Sequence, residues 1–597
     1  MQRSPFCGRK RLMVAGVALA AVFMFVSCKT QTQSPPNNPT MSKTIIYQLL
    51  PRLYSNTRGT NKQNGTINEN GCGKLNEIND AALDNISSLG ASYVWYTGVI
   101  RHASATKYPF ISHPSNANVV KGAAGSPYAI CDYYDVDPDL AVDVDNRMGE
   151  WKALVERTHK HGLKAIVDFV PNHVARSYYS DARPDVPMLG AADDTTKAFS
   201  PNNNFYYLPG QAFVSPEKDK DVPYVETPAK ASGNDAFTAI PSAYDWYETV
   251  KLNYGVDYQK DGSAYFEPHP DTWSKMRDIL MFWVETGVDG FRVDMAQMVP
   301  VEFWRWVIAQ VTMRHPNIIF IAEIYDTSKY EEFVKAGFNI LYDKMNFYDI
   351  VRGVVCGTAP ASDMTYIWQR THKVSKNMLY FLENHDEQRI ASDYFAIDPL
   401  KARPAYIAAL TMGRGATMIY AGQELGERGM DNEGFSKTDG RTTIFDYWSV
   451  GSLSRNVSGY NYDGTNLKPE EKDLRRWYAE VNATVQKYEA LSVGEFYDLM
   501  WINQHIWVDA ANVYAYLRYL GNERFLVALN FAATPRRQRL RIPDDAWRLM
   551  GSKWNECIQP SDILGNSIFI GRDSVNHIAD NGLEIEIPPH DGVILKF

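Results

Sequence analysis

Residues 272–294, TWSKMRDILMFWVETGVDGFRVD, contain one complete helix–strand unit. The first half has apolar residues at helical spacing, namely Met276, Ile279 and Trp283. This spacing predicts a helix over 272–286 that Gly287 ends. The apolar run 288–294 follows at once and predicts a strand buried on both faces. A helix leading directly into a buried strand is typical of a parallel sheet covered by helices.

Similar apolar runs recur along the chain, with helical spacing between them. They lie at 44–50, 92–97, 164–170, 318–323, 338–343, 378–383 and 417–422. With 288–294 they make eight, the number of parallel strands that closes a (β/α)8 barrel. We therefore predict an α/β fold built on a TIM barrel. A doubly wound open sheet is the alternative, but it would concentrate functional residues at one switch point rather than after several strands.

Two departures from the barrel pattern predict further domains. The connection after the third strand is far longer than an ordinary crossover and rich in Pro, Gly and Asn, which predicts an inserted domain over 174–269. After a helical stretch at 469–488, short strands separated by turns predict an antiparallel β-sandwich over 489–597. The barrel would then comprise 42–173 and 270–488.

The N-terminus has the pattern of a secretory signal, because basic residues precede an apolar run at 12–26. That run is shorter than the ~20 residues needed to span a bilayer. The residues FVS before Cys28 resemble a relaxed bacterial lipobox, which predicts a signal peptide over 1–27 and lipidation of Cys28. An ordinary cleaved signal is the alternative. The polar segment 28–41 has the composition of a flexible tether.

Composition and charge limit the classes of binding partner that we expect, and the N-terminal segment indicates the cellular location. The chain carries 61 Lys and Arg against 70 Asp and Glu, a net charge of -9, without a long basic stripe. We therefore expect no nucleic-acid partner, and contact with a membrane only through a lipid on Cys28. The protein would be extracytoplasmic, in the periplasm or on the cell surface. The residues KTQTQS after Cys28 lack an acidic export-like cluster, which favours the periplasm.

Acidic side chains and histidines follow several predicted strands. Arg292 and Asp294 share one face of the fourth strand, because alternate residues of a strand point the same way. The cation favours the ionised form of Asp294, as a nucleophile requires. Glu323 directly follows the apolar residues of the fifth strand. Burial at such a position raises the pKa of a carboxyl group into the range that suits a general acid. The third and seventh strands add further polar residues at 168–173 and 383–386, so one rim of the barrel would collect them all.

These segments together resemble the alpha-amylase family of glycoside hydrolases (family 13). The matching motifs are DFVPNH at 168–173, GFRVD at 290–294, IAE at 321–323 and NHD at 384–386, in the family's order. The resemblance implies that Asp294 is the nucleophile, Glu323 the acid/base and Asp386 the stabiliser of the transition state.

The same resemblance implies a set of substrate-binding residues: Tyr128, His173, Arg292, His385 and Asp168. Family calcium sites use the asparagine of the third-strand motif, here Asn172, so calcium is a candidate ligand of that residue. No organic cofactor is expected.

These roles would make the protein a retaining glycosidase. We expect hydrolysis of α-1,4-glucosidic bonds in starch-type glucans or malto-oligosaccharides, with Glu323 as proton donor and Asp294 as attacking group. Two alternatives stay open. One is an α-glucosidase, α-1,6-acting enzyme or glucanotransferase of the same family. The other is a catalytically silent glycan-binding accessory protein, which would be expected to have lost a carboxylate.

Overall fold

The computed structural model describes residues 43–217, 222–505 and 508–597. The predicted signal peptide 1–27, the lipidation site Cys28 and the tether 28–41 lie outside these residues. No helix within the described ranges combines the length and apolarity needed to span a bilayer.

Eight parallel strands close into a barrel. They are β1 (Ile45–Leu49), β2 (Tyr93–Tyr96), β3 (Lys164–Phe169), β4 (Gly290–Val293), β5 (Ile319–Ala322), β6 (Ile340–Tyr342), β7 (Met378–Tyr380) and β8 (Ala416–Tyr420). Each strand pairs with its neighbours in chain order, and β8 pairs back to β1. Every strand overlaps one of the predicted apolar runs, so the predicted (β/α)8 barrel is confirmed.

Helices cover the outside of the barrel. Those between or after the strands are Asp80–Ser87, Arg147–Lys160, Asp271–Val284, Val301–Arg314, Tyr330–Ala336, Asp349–Val355, Thr365–Thr371, Arg403–Thr411 and Pro469–Gln486, with a π-helix at Lys344–Tyr348. The predicted helix over 272–286 is observed as Asp271–Val284, and its predicted apolar face is buried. Gly287 ends it in the left-handed region, at φ +97°.

Two connections on the carboxyl side of the barrel carry structure of their own. After β2, strand Ile100–His102 pairs with Ile130–Val136. After β3, His173–Ala175 pairs with Thr249–Lys251, and Tyr207–Leu208 pairs with Ala229–Lys230 around a small apolar core. This second connection falls where an inserted domain is predicted, over 174–269, and that boundary stays a prediction. Shorter helices lie at Pro51–Tyr54, Ile67–Asn70 and Gly451–Val457.

The C-terminal region is an antiparallel β domain, as predicted. Its five-stranded sheet has the order Glu495–Asp498, Val513–Leu520, Glu523–Asn530, Asp591–Lys596 and Ser561–Asp562. Further strand pairs are Arg536–Leu540 with Leu583–Ile587 and Cys557–Ile558 with Asp573–Ser574. Helices lie at Glu489–Val493, Met500–Asn503, Asp544–Leu549 and Val575–Asn581. One face of the large sheet packs in the domain's own core and the other against the barrel.

Arg518 joins the β domain to the barrel. Its guanidinium is fully buried, and Nη1 donates to the carbonyl oxygens of Thr411 at 2.6 Å and Met412 at 3.0 Å. Nη2 donates to the carbonyl oxygen of Gly494 at 2.9 Å. Burial lowers the pKa of Arg518 to about 10, so the side chain stays charged at neutral pH. These charge-assisted hydrogen bonds satisfy carbonyls that no strand or helix partner reaches.

We expect Arg518→Met to lower the free energy of unfolding by about 3 kcal/mol, because it leaves the buried carbonyls of Thr411 and Met412 without a donor. Urea denaturation followed by tryptophan fluorescence would measure the change. Arg537→Met is the matched control, since its side chain is 55% exposed and its contacts with Glu584 and the ring of Phe569 lie at the surface. Equal stability of the two variants would contradict this role for Arg518.

Candidate active site

A cavity of about 300 Å³ opens among the loops that follow the barrel strands. Its lining includes Tyr128, His173, Asp294, Glu323 and Asp386. These five residues come from the ends of different strands or from the loops between them, and barrel closure brings them together. A pocket of this size with convergent carboxyl groups is the normal setting of a barrel active site.

Arg292 lies at the centre of the charged groups. It is fully buried on β4, where Nη1 donates to Asp294 Oδ1 at 2.9 Å. Nη1 also lies 3.5 Å from Asp168 Oδ1, and Nη2 lies 2.8 Å from Glu323 Oε2. The predicted placement of Arg292 beside Asp294 is observed. In addition, a single guanidinium contacts both groups predicted to act as nucleophile and acid.

Glu323 is held by two hydrogen bonds besides this ion pair. Its Oε2 accepts from the backbone N–H of Met295 at 2.7 Å, and its Oε1 accepts from the Tyr325 hydroxyl at 2.7 Å. Met295 adopts the left-handed region at φ +42°, which a non-glycine residue rarely visits and which costs about 1–2 kcal/mol. This turn directs its N–H at the carboxylate, so backbone strain beside Asp294 serves to orient Glu323.

Asp294 and Glu323 are two buried carboxyl groups in contact with the same cation. Burial, and then the negative charge of Glu323, raise the pKa of Asp294 well above its ordinary value, against the opposing effect of Arg292. Asp294 is therefore harder to ionise in the free site than an exposed aspartate would be. Asp294 Oδ2 has no hydrogen-bond partner among the described residues. Asp294, the predicted nucleophile, thus has one unpartnered carboxyl oxygen and lines the cavity.

Asp168 contacts Arg292 rather than lining the cavity. Its Oδ2 accepts from Trp95 Nε1 at 3.1 Å and from the backbone N–H of Gly98 at 3.2 Å. Burial raises the pKa of Asp168 to about 6. This geometry makes Asp168 a support for Arg292, whereas the resemblance implied a residue that binds substrate.

His385 is buried and neutral. Burial, and then the charge of Arg292, lower the pKa of His385 to about 3. Gln48 Nε2 donates to Nδ1 at 2.7 Å, which places the ring proton on Nε2. That nitrogen lies 2.6 Å from the Tyr128 hydroxyl and 3.1 Å from Asp386 Oδ2. Because the Asp386 side chain is 42% exposed, it presents an open carboxylate to the cavity.

His173 is the second neutral histidine of the site. Burial, and then the charges of Lys251 and Lys121, lower the pKa of His173 to about 3. Its ring lies against the ring of Trp246, with 5.1 Å between centroids. Glu248 lines the cavity beside them and pairs with Lys121 at 3.0 Å.

Several residues of the candidate site were not predicted from the sequence. They are Gln48, Trp95, Lys121, Glu248 and Tyr325. Their position in the sequence could have identified three of them. Gln48 and Trp95 lie near the carboxyl ends of barrel strands, and Tyr325 lies two residues after Glu323. Lys121 and Glu248 lie in loops without a recognisable pattern and meet only through folding.

The surroundings of Asn172 do not fit a calcium ion. Its Oδ1 accepts a hydrogen bond from Lys251 Nζ, which is also 2.8 Å from Asp235 Oδ1 and 3.3 Å from the carbonyl oxygen of Met298. An ammonium group therefore already binds the oxygens that a metal would need. Elsewhere in the described ranges, no group of three or more His, Cys, Asp or Glu is arranged to hold a metal.

Comparison with known proteins supports the fold. The chain resembles the "Alpha-amylase 3" of Dictyoglomus thermophilum, with 22% identity over 83% of this chain and 86% of that protein. It is also 22% identical to the trehalose-6-phosphate hydrolase of Bacillus subtilis, over 85% of this chain and 93% of the relative. Among solved structures, a noncanonic maltogenic alpha-amylase from Thermotoga neapolitana superposes with a TM-score of 0.59 at 20% identity, covering 94% of this chain and 99% of that one.

Family models match both main parts of the chain. The model described as alpha amylase, C-terminal all-beta domain, matches residues 507–597. The model described as alpha amylase, catalytic domain, matches residues 48–456, more than half of the chain. The protein therefore belongs to the alpha-amylase family of glycosidases.

Proposed function

We propose that the protein is a retaining glycosidase that hydrolyses α-1,4-glucosidic bonds in starch-type glucans or malto-oligosaccharides. The contact of one buried guanidinium with both Asp294 and Glu323, beside a cavity, carries this proposal. A pair of carboxyl groups flanking one bond is the arrangement that glycoside hydrolysis requires. Relatives named as amylases support the choice of an α-glucan as substrate.

The reaction would proceed by double displacement. Glu323 gives its proton to the glycosidic oxygen as Asp294 Oδ2 attacks the anomeric carbon, and the leaving chain departs. Once the proton has left Glu323, this carboxylate takes a proton from water, and the water oxygen displaces Asp294 from the sugar. Two inversions at the same carbon retain its configuration.

Arg292 favours the ionised form of Asp294 that attacks the sugar. When Glu323 is protonated, its charge no longer opposes ionisation of Asp294, and the guanidinium then stabilises the Asp294 carboxylate at 2.9 Å. Bound sugar excludes water and strengthens this interaction. The neutral His385 donates a hydrogen bond to the bound sugar without adding a positive charge beside it. In the transition state this sugar becomes a positively charged oxocarbenium ion, which the carboxylate of Asp386 stabilises.

We expect Glu323→Gln to reduce kcat by about 10²- to 10⁴-fold, because the amide cannot donate the proton. Malto-oligosaccharide binding should be largely kept, since the amide preserves the shape of the side chain. Release of reducing sugar from maltoheptaose and calorimetric binding would measure the two effects. Glu302→Gln, at an exposed helix start, is the matched control. Near-native turnover by Glu323→Gln would reject its role.

We further propose that calcium is not needed at Asn172, because Lys251 supplies the positive charge there. Prolonged EDTA treatment is expected to leave both kcat and the melting temperature unchanged. Lys251→Met should lower the melting temperature, since it leaves Asn172 and Asp235 without their donor. Lys260→Met, whose side chain is 80% exposed, is the control. Loss of activity in EDTA that added calcium restores would contradict this proposal.

We also propose that the protein is anchored outside the cytoplasm by a lipid on Cys28, which lies outside the described residues. Mass spectrometry of the mature N-terminus should find an acylated Cys28, and the protein should partition into detergent. Cys28→Ser is expected to move the enzyme to the aqueous phase without changing kcat. An unmodified N-terminus beginning elsewhere would favour an ordinary cleaved signal.

A further inference from the structure

We infer that a wall of two loops closes one end of the active-site cavity, so that the enzyme removes sugar from the non-reducing ends of glucan chains. The wall consists of residues 121–126, after β2, and 444–447, after β8. This inference rests on the proposed function, because it concerns how an α-glucan enters the same site.

The two loops are in direct backbone contact. The N–H of Ala124 donates to the carbonyl oxygen of Phe445 at 3.0 Å. Gly122 has φ +68°, and a Cβ at this position would lie 2.3 Å from the same oxygen. Only glycine allows so close an approach, so no gap remains between the loops at this point.

A buried cation clamps the loops together. Arg52, in the short helix after β1, is 1% exposed. Its Nη1 donates to the carbonyl oxygen of Ile444 at 3.0 Å, and its Nη2 donates to that of Ala124 at 3.3 Å. One guanidinium therefore binds a carbonyl from each half of the wall.

The outer sides of the wall are also held. The Tyr447 hydroxyl donates to Asp139 Oδ2 at 2.6 Å and lies 2.6 Å from Thr106 Oγ1. At the other end, Lys121 Nζ lies 3.0 Å from Glu248 Oε2, in the connection after β3. Contacts on both sides of the loop pair make this a fixed wall rather than a lid.

The order of the strands in the barrel places the wall beside the end of the retained sugar that lies opposite to the cleaved bond. Strands β8 and β1 lie across the barrel from β4 and β5, and β2 is the next strand beside β1. Glu323 follows β5 and protonates the leaving oxygen, so the leaving chain departs on that side, past Met295 and Tyr325. The retained sugar therefore points its opposite end toward Ser126 and Phe445, which line the cavity at the wall.

A glucan that continued beyond the retained sugars would collide with this wall. The substrate must then present a free non-reducing end, as linear malto-oligosaccharides and the outer chains of starch do. Cyclic glucans and chains with a blocked end should be poor substrates, although they contain the same α-1,4 bonds. The shape of the cavity, rather than its catalytic groups, would make this selection.

The test compares p-nitrophenyl maltoheptaoside with the same compound carrying a 4,6-ethylidene block on its non-reducing end. Chromatography of the products should show cleavage of the free substrate about 100-fold faster, because the blocked end does not fit. Comparable rates on the two compounds would overturn the inference and leave the proposed function standing. Cleavage of neither would reject the proposed function and the inference together.

A variant tests whether the wall causes this preference. Gly122→Ala should push the loops apart and raise the rate on the blocked compound, relative to the free one, by about tenfold. Gly162→Ala is the matched control: its φ is +72°, similar to that of Gly122, and nothing lies within 4 Å of the added carbon. An unchanged ratio in folded Gly122→Ala would show that the wall does not set the preference.

Discussion

The arrangement of the active site depends on one buried guanidinium. Arg292 lies within 3.5 Å of the carboxyl groups of Asp168, Asp294 and Glu323, and its own side chain is fully buried. Without a cation, three carboxyl groups at this separation would repel one another and take up protons. Arg292 supplies a compensating positive charge to all three, so they can remain close together. The ring of Trp95, 5.2 Å from the guanidinium carbon, helps to keep the cation in place.

Buried cations also stabilise irregular segments at three other places in the described residues, where they bind backbone carbonyl groups. Loop carbonyls have no regular ladder partner, and burying them without a donor is costly. Arg52 binds carbonyls from both halves of the wall, Lys251 binds that of Met298, and Arg518 binds those between the barrel and the β domain. Buried cations thus convert loops into rigid parts of the site. In the calcium-binding relatives implied by the family resemblance, a metal would supply such a charge, whereas here a lysine does.

The barrel could be predicted from local patterns, while much of what surrounds it could not. Buried parallel strands are continuous apolar runs, and a helix such as Asp271–Val284 repeats its apolar residues at a regular spacing. The described part of the connection between β3 and β4 has only short pairings, such as Tyr207–Leu208 with Ala229–Lys230, and its sequence shows no regular spacing of apolar residues. Likewise, helices Asp544–Leu549 and Val575–Asn581 of the β domain are too short for a clear periodicity and were not predicted.

The sequence by itself determined which residues stand at the strand ends, because alternate strand residues share a face and barrel closure brings the carboxyl ends to one rim. That was enough to identify Asp294 and Glu323 as candidates. Only the tertiary structure decided what surrounds them. Lys251 reaches Asn172 across 79 positions, and Arg52 reaches Ile444 across 392. Contacts between such distant loops arise only when the closed barrel holds their ends in place, and no local spacing encodes them.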